Sequence, residues 1–343
     1  MGLIVKKIII FAPHYYHKDD NKMINRVLIR IKVIQLLYAW QLNTGDKPAQ
    51  AEKELFESIE KAYELYHWLL QLPIDIQAYA TKRIEIGLNK LRPTKEEQNP
   101  NVRFINNLFV KQLATNADLI AYNNDKSHPI SWAEYEDFIK DLFDGLTTTE
   151  LYQEYMKETT RDYDADKMLW RKIFKKYIAG NDNVLNQLED MCLYWNDDIE
   201  IVVSFVDKTI KRFSREAGAN QPLLPLYADP EDDQDFAKRL LGTAIKRQEE
   251  FNKWIDETAQ NWEGERIATM DKIIMQAALA ELVEFPTIPV SVTLNEFVEI
   301  SKFYSTDKSS TFVNGVLDKI ANKLREQGKL IKVGAFVKPT EEQ

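Results

Sequence analysis

The chain has 343 residues, enough to bury a large core and to form two domains or one elaborated one. Its 45 basic residues against 54 acidic ones give a net charge of −9, so any nucleic-acid contact must come from a local basic patch rather than from the global field. One cysteine, Cys192, excludes an internal disulfide and a cysteine-rich zinc site, fits a reducing cytoplasm, and reads as a small packing residue.

The chain opens with MGLIVKKIIIFAPHYYHKDD, whose apolar run is broken by Lys6 and Lys7 and is too short to span a membrane. It has no small-residue cleavage site, and its Met-Gly start lacks the Ser or Thr that a myristoylation signal needs. A cytoplasmic protein without membrane contact is expected. His14 and His17, three residues apart with Asp19 and Asp20 nearby, could face one side of a turn, but no second cluster completes a ligand set and no metal or cofactor is expected. His67 and His128 stand alone.

From Ile24 to Gln41 the chain reads INRVLIRIKVIQLLYAWQ. Arg26, Arg30 and Lys32 give it a local charge of +3, with no acid. Apolar residues fill most of the helical wheel, so the helix is expected to be buried nearly all round with its charges crowded into the first half. Arg26 and Arg30 lie one turn apart and can reach neighbouring phosphates.

Glycine is scarce, and proline falls mostly between periodic segments. The periodicity predicts helices at 24–42, 49–71, 74–91, 102–122, 131–144, 148–158, 164–179, 197–214, 233–259, 264–284, 293–304 and 309–327. Val5–Phe11 and the tail LIKVGAFV are the two segments that could form strands. Between Gln221 and Asp235, three prolines and the acidic run from Asp229 to Asp233 mark a boundary. In SSTFVNGVLDKIANKL, Ser309 to Leu324, seven apolar residues share one face, and a serine precedes them as a cap. Gly315 inside that helix costs about 1 kcal/mol against alanine, which is expected where another helix must come close. Phe312 at its first turn reads equally as core packing or as a ring offered to an unstacked base.

Phosphate loops, dinucleotide fingerprints, nucleophile elbows and His-Glu-x-x-His are all missing, so no catalytic residue is assigned and a binding protein is the starting expectation.

At this point two regions resemble the bacterial NusB family of transcription antitermination factors. INRVLIRIKVIQLLYAWQL, with Q-x-L-Y at Gln35, Leu37 and Tyr38, is similar to the family's first helix. The C-terminal block carries Arg266 and Asp271 before a buried helix, A-x-x-E-L at Ala278, Glu281 and Leu282, I-P-x-x-V-x-x-N-E from Ile288 to Glu296, and F-V-N-G-V-L-D from Phe312 to Asp318. The resemblance implies an all-α, NusB-like helical bundle that binds boxA RNA with the ribosomal protein NusE, inside the RNA polymerase antitermination complex, to suppress termination during rRNA transcription. It implies RNA contacts from Arg26, Arg30, Lys32, Ser309, Ser310 and Phe312, and partner contacts from Tyr38, Glu265 and Asp271. For Asn295-Glu296 the reading is a helix start.

Two departures stand out. A large helical insertion, 43–233, separates the first helix, 23–42, from the C-terminal region, 234–328, which a tail, 329–343, follows. Lys308 stands where better-known members carry an acid. Residues 1–22 match nothing in the family and are expected to be disordered or non-native, with Met23 as the natural start. The rival reading is a helical interaction scaffold that keeps a NusB core and has lost RNA binding.

Overall fold

The computed structural model describes residues 26–42, 48–125, 130–160, 162–260, 267–304 and 309–333. Among these, fifteen α-helices and a few short 3₁₀ or π turns account for the regular structure, and no strand occurs. The N-terminal extension and the second half of the LIKVGAFV tail lie outside the described residues, as do His14, His17, His128, Glu265, Arg266 and Lys308. The chain divides into two compact units, one made of residues up to Ile59 and from Tyr227 onward, the other of Glu60–Leu226.

The discontinuous unit begins with α1, Arg26–Leu42, and the first part of α2, Pro48–Leu88. It resumes with α11, Pro230–Lys246, and continues through α12 (Gln248–Ala259), α13 (Thr269–Glu284), α14 (Val290–Tyr304) and α15 (Ser309–Glu326). The start of α11 is written locally: Asp229 accepts from the Asp232 N–H, Pro230 opens the first turn, and three acids complement the positive end of the helix dipole. Gly328, at φ 67°, ends α15, and the amides of Lys329 and Leu330 return to the Leu324 carbonyl. α13 is the axis of the unit. Every residue from Ile273 to Leu282 is buried, because α1, α11, α12, α14 and α15 all pack against it. α1 is nearly as covered, with Leu28, Ile29, Val33 and Ile34 fully buried.

The contiguous unit holds the rest of α2 and then α3 (Lys95–Gln98), α4 (Leu108–Leu113), α5 (Ala117–Asn123), α6 (Glu136–Thr148), α7 (Glu150–Lys157), α8 (Tyr163–Ile173), α9 (Asp182–Met191) and α10 (Ile199–Arg212). A single π turn, Phe174–Ile178, extends α8. Asn107, Asn116, Thr149, Asp162 and Asn181 each cap a helix through a side-chain oxygen. Two of these caps explain why the segment expected as one helix over 102–122 is broken: Asn107 and Asn116 start new helices inside it. α2, by contrast, runs through Pro73, where a break was expected. Proline in a helix interior costs roughly 3 kcal/mol, and here Leu69, Leu70, Leu72 and Ile76 are all fully buried around it, which outweighs that cost. Close by, the Trp132 indole N–H donates to the Trp68 carbonyl at 3.1 Å. His67 is buried and stacks on Tyr122, so it is a packing residue.

Candidate nucleic-acid interface

The charges of α1 separate in space. The Arg26 side chain is about a third exposed; its guanidinium reaches Asp232 at 2.7 Å and lies 4.6 Å from the centre of the Phe236 ring. Arg30 is 4% exposed and Lys32 1%. The reading of these two as surface groups facing phosphates is therefore corrected: their charges point into the protein.

The reason lies on the other side of the fold. Arg30 Nε donates to Glu281 Oε2 at 2.6 Å and a terminal nitrogen donates to Oε1 at 2.9 Å, a forked pair with a carboxylate that is 0% exposed. The Thr293 hydroxyl donates to the same carboxylate at 2.8 Å, and Arg30 also reaches Glu296 at 3.4 Å. Burial holds the Glu296 carboxyl above its usual range, opposed by the nearby Arg30 charge and reinforced by Glu281. Burial likewise lowers the Lys332 ammonium, which donates to the Phe285 carbonyl at 2.8 Å and is favoured by the Glu281 charge. A buried carboxylate needs this many donors because an unpaired one would be too costly to keep. The A-x-x-E-L and I-P-x-x-V-x-x-N-E motifs thus meet the first helix at one ionic knot. Asn295-Glu296 is not a helix start: α14 begins at Val290, where the Pro289 carbonyl accepts from Val292 and Thr293.

The second part of the predicted site sits at the other end of α13. Ser309, 3% exposed, donates its hydroxyl to Asp271 Oδ2 at 2.9 Å, joining the first turn of α15 to that of α13. Asp271 is buried, and its Oδ1 has no hydrogen-bond partner among the described residues. Ser310 and Phe312 are half-buried and Thr311 is exposed. Gly315 is half-buried in the middle of α15, which packs along α14. Asp271 and Glu281 are ten residues apart on one helix, about 15 Å along its axis at 1.5 Å per residue. The structure therefore brings Ser309, Ser310 and Phe312 together with Asp271, and keeps Arg26 and Arg30 at the opposite end.

Tyr38 is half-buried on the later half of α1. One turn on, Gln41 donates to the Gln276 side chain at 3.1 Å, and Gln276 donates to Asn252 at 2.5 Å, so an amide chain ties α1 to α13 and α12. Asp271, expected as a partner contact, is a buried acceptor held against the start of α15 by the Ser309 hydroxyl. Chemically, the α15 start offers the positive end of a helix dipole and an aromatic ring at its first turn. The Arg30–Glu281 pairing leaves no local signature, because its members are 251 residues apart. No group of three or more His, Cys, Asp or Glu residues that could hold a metal occurs among the described residues, and no described helix is long and apolar enough to cross a membrane.

Comparison with known proteins fits this geometry. The profile of the NusB family matches residues 198–322. The transcription antitermination protein NusB of Salinibacter ruber is 43% identical over 111 residues, 32% of this chain and 69% of that protein. The same-named protein of Chloroherpeton thalassium is 41% identical over 101 residues, 29% of this chain and 48% of its own. That of Koribacter versatilis is 40% identical over 99 residues, 29% of this chain and 68% of its own. No solved structure matches the chain. α1, outside the matched residues, supplies the helix that closes the face of α11 and α13. With its motifs gathered around α13 and two thirds of a relative covered at this identity, the chain belongs to the NusB family of transcription antitermination proteins.

Proposed function

We propose that this protein binds boxA-type RNA of ribosomal RNA leader transcripts together with the ribosomal protein NusE, and so helps RNA polymerase resist termination, without catalysing a reaction. Family membership supports the reading, and the observation that carries it to a surface is the first turn of α15. There the positive end of the helix dipole suits a phosphate, and the half-buried Phe312 ring can take an unstacked base. Buried Asp271 supports this turn from beneath by accepting from the Ser309 hydroxyl. Arg26, a third exposed and paired with a solvent-facing carboxylate, can turn to a phosphate. Arg30 and Lys32 act at one remove, by fixing α1. Tyr38 lies on the face proposed for NusE, and the cytoplasm is the proposed compartment.

The burial of Arg30 and Lys32 favours a second reading, a scaffold that keeps the core and no longer holds RNA. Titration of labelled boxA RNA, with and without NusE, at two salt concentrations separates the two. Cooperative, salt-sensitive binding that Phe312→Ala weakens by about tenfold or more supports the RNA reading, as loss of one stacked base costs about 1–3 kcal/mol. No binding in the presence of NusE overturns it in favour of the scaffold.

A further inference from the structure

The contiguous unit carries a basic surface of its own, on two helices that pack side by side. Residues 167–181 contain Lys167, Arg171, Lys172, Lys175 and Lys176 and no acid. Residues 208–215 contain Lys208, Lys211, Arg212 and Arg215 and no acid. In a chain whose net charge is −9, these 23 residues hold nine positive charges. Hydrogen bonds and ion pairs bring the two runs together. Lys167 Nζ, at the start of α8, donates to the Phe213 carbonyl at 2.7 Å and to the Lys211 carbonyl at 3.4 Å, at the end of α10. Further along α8, Arg171 and Lys175 both reach Asp207, at 2.7 and 2.8 Å. The helices therefore run antiparallel, and their basic residues share one seam.

Asp207 accepts two of the cations and Asp164 a third, Lys167, at 3.5 Å. Glu216 flanks the seam near Tyr163. Lys172, Lys176, Lys211 and Arg215 are exposed, and none of them is in an ion pair with a described residue. They flank the seam that Asp207 closes, Lys172 and Lys176 one residue on from Arg171 and Lys175. The π turn at Phe174–Ile178, a local irregularity of the kind that gathers at functional sites, carries Lys175 and Lys176. Only Met168 among the large apolar residues of α8 and α10 is exposed. A protein-docking surface is depleted in lysine and centred on buried apolar or aromatic anchors; this one is rich in lysine and has no such centre. Its chemistry fits the evenly charged phosphodiester backbone of a polynucleotide.

We propose that the α8–α10 seam of the contiguous unit binds single-stranded RNA through its backbone, without sequence preference, as a contact separate from the α15 start. The proposal does not depend on the boxA reading, since it concerns a different unit and different residues.

The test is titration of the full-length protein with a labelled oligouridine of ~20 nucleotides, a length that several phosphate contacts can share, over a range of salt. Reversing Lys172, Lys176, Lys211 and Arg215 to glutamate is expected to flatten the slope of log affinity against log salt by about 2–3, from four phosphate contacts at roughly 0.7 each. The four-glutamine variant removes the charges without adding repulsion and is expected to flatten the slope as well. Reversal of Lys95 and Lys157, exposed elsewhere in the same unit, is expected to leave it unchanged. An unchanged slope in both four-site variants overturns the proposal, and so does polyglutamate that competes as well as RNA of equal charge. Phe312→Ala, which tests the α15 site, is expected to leave the oligouridine slope intact; loss of the slope in that variant would place the backbone contacts at α15 instead.

Discussion

Glu281 in the discontinuous unit and Asp166 in the contiguous unit are both buried carboxylates, and they are held in opposite ways. In the discontinuous unit Glu281 is met by a full positive charge, the Arg30 fork, with Thr293 as a third donor. In the contiguous unit Asp166, 4% exposed, is met by neutral groups: the Tyr155 hydroxyl at 2.6 Å on one oxygen and the Leu108 N–H at 2.6 Å on the other. Asn107, the cap of α4, donates to the Asp166 carbonyl as well. The ionic solution ties together segments far apart in the chain, whereas the neutral one joins helices within about sixty residues. A charge pair fixes one arrangement strictly, because either partner left alone in the interior is strongly unfavourable, while dipoles share the load among several weaker contacts.

The widest gap between the two should show in Arg30→Ala. It leaves Glu281 buried without its counter-charge and is expected to destabilise the discontinuous unit by about 3–5 kcal/mol, seen as lost amide-exchange protection in α13 and α14 with α8 unaffected. The double change Arg30→Met/Glu281→Leu is expected to recover most of that loss; if it does not, the knot contributes more than charge compensation. Next comes Asp166→Ala, with an expected loss of about 2–3 kcal/mol, as the Tyr155 O–H and the Leu108 N–H lose their acceptor, read by urea unfolding and by exchange in α4 and α8. Tyr66→Phe probes a neutral contact in the same unit. Its hydroxyl bonds Thr209 at 2.7 Å and accepts from the Leu224 N–H at 3.2 Å, and losing both is expected to cost about 1–2 kcal/mol. A loss as large as that of Arg30→Ala would erase the distinction drawn here.

The smallest effect is one of pH. Because burial raises the Glu296 carboxyl, the folded chain keeps that proton to a higher pH than the unfolded chain does. Its contribution to stability is then full below the ordinary carboxyl range and is lost as pH rises through the raised value. Glu296→Gln should flatten this part of the stability profile, measured by melting temperature in steps from acid to neutral pH. An unchanged profile would mean that Arg30 already compensates the charge.

The helical class and the C-terminal motifs could be read from the chain because they are local: periodicity and short spacings survive without a fold. Breaks decided by single capping residues were harder. Asn107 and Asn116 divide the 102–122 segment, Arg247 divides α11 from α12 where one helix over 233–259 was expected, and α9 was passed over although Asn181 announces it. Pro73 misled in the other direction, since tertiary burial decides whether a proline ends a helix. The site residues were least legible of all. Nothing near Arg30 in the sequence says that a carboxylate 251 positions away will enclose it, and a lysine that is 1% exposed reads like any surface cation.

The 251-residue separation of Arg30 and Glu281 also sets a schedule for the ribosome. At roughly 5–20 residues per second, α1 waits about 12–50 s after its own synthesis before its partner helix exists. Through that interval Leu28, Ile29, Val33 and Ile34, all fully buried in the finished protein, have no native cover. The contiguous unit, whose partners are all made in one stretch, has no such wait and can be complete while α1 is still unpaired. A slowly translated message therefore prolongs the exposure of one helix and leaves the other unit untouched, which makes nascent α1 the segment most in need of a chaperone.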